Sequence, residues 1–443
     1  ANWILNGDPG FDIWAMDVSR FGDYASMQFT NARVRENYAR RFSIRYPNEE
    51  LQAARPLLTT PIYDKQKAAG AQFGAAYGLE IPLWYASKNT SNVFSWRRST
   101  DFDHVGAEAR AVRESVGLSD ISGFAKYRVS GRAASDWLDY ILACRLPAVG
   151  RMVLAPMLKD DGKIIGDFSL SRLDDDSFLI IGSGIAESYH MRWFLAHLPD
   201  TDDVEINSLG LDLVGLTLAG PKSRDVLQSC VSIDMSHDSM RFMAIKQIDI
   251  GMTPAIVGRV SYTGDLGYEI WVAPAYLNSL FDQLMTAGAV HHIRLFGSRA
   301  LNALRLEKNY GSWGREYRPI YGPVETGLDA FVAYDKPADF IGKSGALAER
   351  DSGGTMRLCS FVIEAKDADV IGDEPIAHNG TVVGWVTSGG YAHGAGKSMA
   401  QGYVPKNIAD YDSGWSVELL GQILPAKRQK IALFDANANR MRS

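Results

Sequence analysis

Residues 387–400 read TSGGYAHGAGKSMA, and two readings of them lead to two different folds. The stretch follows a β-like run, Thr381–Val386, and ends in Gly-Lys-Ser, as a phosphate-binding loop does. Such a loop needs a glycine where this chain has Tyr391; Gly390 comes one position early. No long helix can follow Ser398 either, because Pro405 arrives soon after. The other reading is a glycine-rich connection between two barrel strands, which suits the strand-like runs on both sides.

Working outward, short strand patterns dominate after about residue 355: LCSFVIEA, EPIAHNGTVVGWVTS, AQGYV, WSVELL and RQKIALF. They predict a small all-β barrel or sandwich over 356–443. Between 91 and 355 strands and helices alternate without the strict β-α-β order of a doubly wound sheet. HVGAEARAVRESV (104–116) places Val105, Ala109, Val112 and Val116 at helical spacing. RMVLAPMLKD, KIIGDFSLSRL and FLIIG read as antiparallel strands joined by turns at Asp161-Gly162 and Asp174–Asp176. LFGSRALNALRLEKNY (295–310) reads as an amphipathic helix, and the class is α+β. Residues 1–90 are aromatic-rich and broken by Pro and Gly, too apolar for disorder, and read as an extension that packs on something larger.

Composition narrows the function. The chain has 443 residues, 46% apolar and 22% charged, with a formal charge of -6 and no Lys/Arg block, which argues against nucleic acid. No apolar run is long enough for a membrane helix. Cys144, Cys230 and Cys359 are distant and odd in number, which suits a reducing compartment. The histidines and cysteines show no metal-ligand spacing. IGSGIAE (181–187) imitates a dinucleotide fingerprint, but Glu187 stands where glycine or alanine is needed and would repel a pyrophosphate.

Two carboxylates stand out. Asp167 lies inside a strand-like run between Ile165 and Phe168, either an outward-facing strand carboxylate or a functional one. Glu269 sits in RVSYTGDLGYEIWV (259–272), where two short strands are expected to flank Thr263–Gly267. Tyr268 beside it predicts partial burial, so it needs partners, and a ligand with paired N–H donors would supply them.

These segments carry a resemblance. AVRESVGLSDISGFAKYRVSGRAASDWL (111–138), DGKIIGDFSLSRL, YTGDLGYEI, GSRALNALRLEKNYGSWG, KPADFIGKSGAL and VGWVTSGGYAHGAGKSMAQGYV follow, in order, motifs of the folate-binding aminomethyltransferase family. That family comprises the glycine-cleavage T-protein and the C-terminal halves of dimethylglycine and sarcosine dehydrogenases. The resemblance implies a three-lobed T-protein-like fold with ferredoxin-like mixed sheets and a C-terminal barrel. Lys163 and Gly166 depart from the T-protein pattern and agree with the dehydrogenase branch. ARPLLTTPIYDKQKAAGAQFGAAYGLEIPLWYA resembles that branch's linker from its flavin domain, though no GxGxxG opens the chain.

By resemblance, Glu269 holds the aminopyrimidine edge of tetrahydrofolate and Tyr262 lines the same pocket. Asp167 matches the catalytic aspartate, and Ile181 to Ser183 match a strand end that touches the pterin. Arg299 matches an arginine near the site; as residues alone, a helix-surface arginine reads equally well. Tyr310 and Trp313 are either stacking partners or core. The implied activity is tetrahydrofolate-dependent capture, as 5,10-methylenetetrahydrofolate, of the iminium or formaldehyde formed when a methylated amine is oxidatively demethylated. FAD would be needed only on a separate flavin domain or subunit, the implied partner. The implied location is the cytoplasm, or the mitochondrial matrix in a eukaryote. Two alternatives are direct methyl transfer to give 5-methyltetrahydrofolate, and a non-catalytic scaffold.

Overall fold

The computed structural model describes residues 2–6, 13–22, 24–88, 90 and 92–443. Its strands are β1 (Ala71–Ala76), β2 (Leu79–Tyr85), β3 (Gly117–Asp120), β4 (Ala125–Ser130), β5 (Arg151–Leu158), β6 (Ile164–Asp174), β7 (Ser177–Gly182), β8 (Glu205–Ser208), β9 (Val214–Ala219) and β10 (Ile245–Ile250). β11 (Thr253–Gly258), β12 (Gly267–Val272), β13 (Arg294–Leu295), β14 (Met356–Ile363), β15 (Pro375–His378), β16 (Thr381–Ala392), β17 (Lys397–Pro405), β18 (Trp415–Leu419) and β19 (Gln422–Gln429) complete the set. β1 and β2 form a hairpin. A six-stranded sheet runs β10-β11-β12-β9-β3-β13, a five-stranded sheet runs β5-β6-β7-β4-β8, and β14 to β19 close a barrel. This is an α+β fold with three lobes, each around its own apolar core.

Helix Pro274–Gly288 buries Leu277, Leu280, Phe281 and Leu284 on the outer face of the six-stranded sheet. Helices Ala134–Ile141 and Glu187–Ala196 do the same for the five-stranded sheet. The inner faces then meet each other through Ile121, Leu179, Ile181 and Trp271. At ~25 cal/mol per Å² of apolar surface, burying such large side chains on both faces is what holds the lobes together. Among the described residues no helix is long and apolar enough to cross a membrane.

Part of the segment read as an N-terminal extension belongs to this body. Ile62, Ala71 and Tyr85 join the core behind the six-stranded sheet, and Trp84 is fully buried beside helices Asp101–Glu114 and Ser298–Glu307. Helix Met27–Ala39, by contrast, buries none of its residues. Three local expectations are corrected. RVSY forms no strand: β11 stops at Gly258 and Arg259–Leu266 is irregular, because the Arg259 backbone bonds to Met243 and Ala244 and the Ser261 hydroxyl bonds to Thr263, which turns the chain. The last barrel strand is Gln422–Gln429, not RQKIALF, since the turn at Leu420-Gly421 sets the hairpin register one segment earlier. TSGGYA is not a connection but the end of β16, bulged between Val386 and Ser388, and only 393–396 turn. Its glycines serve close packing: a Cβ on Gly389 would lie 2.3 Å from the Val370 carbonyl oxygen.

Candidate active site where two sheets meet the barrel

Alternation along a strand decides which way each carboxylate points. On β12, Tyr268, Ile270 and Val272 enter the outer core, so Glu269 and Trp271 face the second sheet. Glu269 stands opposite Thr217, which stands opposite Ser119, giving a buried polar row across the sheet. On β6, Phe168 and Leu170 enter the outer core of their lobe, so Asp167, Ser169 and Ser171 face the first sheet. The two carboxylates therefore project from facing sheets into one seam.

Among the described residues neither carboxylate has another residue as hydrogen-bond or ion-pair partner. Glu269 is 9% exposed and has no hydrogen-bond or ion-pair partner among the described residues, and burial pushes its carboxyl up to about 7. Asp167 is hemmed in by protein although part of its surface remains open. Burial pushes it up to about 8, against a small opposing effect of its own backbone N–H and with help from the nearby Glu316 charge. A buried carboxylate with no donor is costly, and such groups concentrate at functional sites.

Asp167 has close company. Glu316 lies near enough to raise the pKa of Asp167, Tyr262 and Tyr317, and Asp167 does the same to the two tyrosines. Tyr262 sits in the irregular loop before β12; its hydroxyl donates to the Gly311 carbonyl, and its ring stacks on Tyr310 at 6.1 Å and 21°. The loop 310–317 is pinned from behind by Glu316. That buried carboxylate accepts from the Ser312 N–H at 2.9 Å, the Arg305 guanidinium at 3.0 Å and the Thr387 hydroxyl at 2.6 Å. Arg305 also donates to Gln401 Oε1 at 2.8 Å, so barrel strands β16 and β17 hold the loop that touches Tyr262. TSGG thus forms part of the site's wall.

A cavity of about 600 Å³ opens from Tyr262 toward the barrel, lined by Phe124, Arg299, Arg305, Ser388 and Tyr391 among others. Arg299 pairs with Asp101 at 2.6 Å, while its Nη2 is buried and has no partner among the described residues. Arg315, also in the wall, is exposed. Asp167, Glu269, Ile181 and Ser183 are not in this wall. Ile181 is packed in the seam against Trp271, and Ser183 lies just past the end of β7, where β6 and β7 part beside Asp167. Trp313 belongs to a core cluster against Tyr189 and His190. Sequence reading missed Glu316, Arg305, Thr387 and Gln401. The available signal was in LRLEK, where Arg305 and Glu307 interrupt the buried side of an amphipathic helix.

IGSGIAE also has a packing explanation. A Cβ on Gly184 would meet the Gly123 carbonyl oxygen at 1.8 Å.

The sequence matches the model of the GCVT N-terminal domain over residues 62–336 and that of the glycine cleavage T-protein C-terminal barrel domain over 357–435. Residues 6–60 match an FAD dependent oxidoreductase central domain. Dimethylglycine dehydrogenase, mitochondrial, of Homo sapiens is 34% identical over 446 residues, covering 100% of this chain and 52% of the relative. The 4-methylaminobutanoate oxidase (formaldehyde-forming) of Paenarthrobacter nicotinovorans is 30% identical over 452 residues, covering 100% of this chain and 54% of that protein. The chain spans about half the length of the curated relatives it matches. In structure it is similar to the glycine cleavage system aminomethyltransferase T from Bartonella henselae, with a TM-score of 0.74 at 23% identity, covering 86% of this chain and 99% of that one. That likeness shows the fold, and the domain matches show the lineage: the chain belongs to the folate-dependent glycine-cleavage T-protein family, related to dimethylglycine and sarcosine dehydrogenases.

Proposed function

We propose that this chain performs tetrahydrofolate-dependent one-carbon transfer, capturing the unit released by oxidative demethylation of a methylated amine as 5,10-methylenetetrahydrofolate. The observation that carries this is the pair of carboxylates, the partly exposed Asp167 and the buried Glu269, that find no other residue as donor among the described residues. When bound, tetrahydrofolate supplies the ring nitrogens that accept the one-carbon unit.

The residues fit such a ligand. Glu269 can accept two adjacent N–H groups from an aminopyrimidine edge, replacing the donors it lacks. Asp167 can hold a proton or stabilise a passing cation, because its raised carboxyl sits near the working pH. Tyr262, stacked on Tyr310, offers an aromatic wall between them and the cavity. Ile181 and Ser183 border Asp167 at the seam, and their backbone is available to the pterin. The unpartnered Nη2 of Arg299 suits an anionic end of the ligand in the cavity. The oxidation itself is assigned to a flavin oxidoreductase module, a partner suggested by the match over residues 6–60. In this reading 1–90 is a linker whose residues from Ile62 to Tyr85 pack into the folate unit, 91–355 is the folate unit and 356–443 the barrel.

The test is anaerobic calorimetry of the full chain with tetrahydrofolate, then conversion of formaldehyde and tetrahydrofolate to the methylene product. Micromolar or tighter binding abolished by Asp167→Asn and Glu269→Gln together is expected. A chain that takes up no reduced folate would sink the proposal.

A further inference from the structure

We propose that the segment 434–442 is a positioning element of this pocket, acting through Asp265 and Tyr310 on the loop that carries Tyr262 and leads to Glu269. The inference rests on the folate reading and adds to it a part of the chain that does not line the cavity.

The loop 259–266 needs outside support because it belongs to no sheet. Within it, Ser261 Oγ and Thr263 Oγ1 share a hydrogen bond of 2.7 Å. Arg113 donates to the Thr263 carbonyl at 2.8 Å and approaches Asp265 at 3.5 Å. The Gly220 N–H and the Ser223 hydroxyl donate to the Leu266 carbonyl at 2.7 Å and 3.2 Å, and further support comes from beyond the barrel. After β19 the chain returns to the folate unit, where the Phe434 N–H donates to the Glu307 carbonyl at 3.1 Å and the Phe434 ring lies 3.5 Å from the Arg113 guanidinium carbon. Lys308 donates to the Asp435 carbonyl at 2.6 Å. The Asp435 carboxylate accepts the N–H groups of Asn439 at 2.9 Å and Arg440 at 3.1 Å, closing a turn that presents Arg440 and Met441 inward.

Two contacts then reach the site. Arg440 lies 3.1 Å from Asp265 Oδ2, closer than Arg113 does, and donates to the Arg113 carbonyl at 2.5 Å. Asp265 is fully buried, so its charge depends on these two guanidinium groups. Met441 is 9% exposed and its sulfur accepts from the Tyr310 hydroxyl at 3.7 Å. Tyr310 is the ring on which Tyr262 stacks. One short segment thus fixes both the turn after Tyr262 and the face against which Tyr262 rests.

The experiment compares wild type, R440M, R440K and M441A as full chains, by calorimetry with tetrahydrofolate and by thermal melting. Loss of a charge-assisted contact that orders a binding loop predicts a roughly five- to thirty-fold weaker Kd for R440M, with partial recovery in R440K. The Tyr262→Phe substitution, made in the wild-type and R440M backgrounds, is expected to be non-additive because both act on one loop. Equal folate affinity in folded R440M, or strict additivity with Tyr262→Phe, overturns the proposal. R440K and M441A carry the same test if R440M does not fold. Wild-type chain that binds no folate refutes the folate reading instead, which distinguishes the two failures.

Discussion

Replacing Glu269 by Gln should weaken folate binding and strengthen the unliganded fold, two effects of opposite sign from one carboxylate. In the folded chain this carboxyl titrates near 7 in place of 4.5, with burial as its only cause. A carboxyl raised by folding contributes its full stability below the unfolded value and loses it as pH rises through the folded one. The loss here runs from about pH 4.5 to about pH 7 and amounts to about 3 kcal/mol above that range. Glutamine carries no such charge, so the variant should melt higher than wild type at pH 8 and show no advantage at pH 4. Binding moves the other way. Glutamine keeps one acceptor but turns an N–H group toward a ligand donor, losing at least one charge-assisted bond, about 2–4 kcal/mol or roughly thirty- to a thousand-fold in Kd. Calorimetry at pH 6.5 in two buffers of different ionisation heat adds a third readout. The wild type must ionise Glu269 to bind and should release a proton, whereas E269Q should not. Equal affinity, or equal proton release by both proteins, would refute the role of Glu269 as the group that meets the ligand's N–H pair.

Asp167→Asn should lower folate-dependent turnover by at least about a hundred-fold. The same variant should be more stable than wild type at pH 8.5, because Asp167 is pushed up to about 8 and its contribution is lost as pH rises through that value; pH-dependent melting checks this. Thr387→Val leaves Glu316 Oε1 buried without its donor and should cost about 1–3 kcal/mol, read from urea unfolding, together with weaker folate binding through the loop 310–317. Gly389→Ala drives a Cβ into the Val370 carbonyl and should destabilise the chain by about 1–3 kcal/mol, whereas a nucleotide-binding role for this stretch predicts lost ATP binding, to be checked by equilibrium dialysis.

The legible and illegible parts of this protein divide along physical lines. The strands at 151–182 and the helices at 101–114 and 298–307 were readable because burial on one face imposes a period. The inward turn of Asp167 was half readable: alternation with Phe168 places it on the opposite face from the outer core, but whether that face meets water or a second sheet is not a local property. Glu316 was unreadable. Its partner Thr387 comes from the barrel and its partner Arg305 from the helix that the barrel meets through Gln401, and nothing in SWGREY marks it as buried. The strand expected at RVSY failed because the Ser261–Thr263 side-chain bonds turn the chain locally, against an alternation of only four residues.

By itself, the sequence determined the α+β class, and its motif order supplied the C-terminal barrel. Each of these follows from periodicity, turn chemistry or motif order along the chain. Only the tertiary structure decided that Asp167 and Glu269 face one seam and that TSGG walls the cavity beside it. It also decided that residues 434–442 return to brace the Tyr262 loop. Desolvation and long-range tethering depend on what packs where, and a chain read one window at a time carries no record of that.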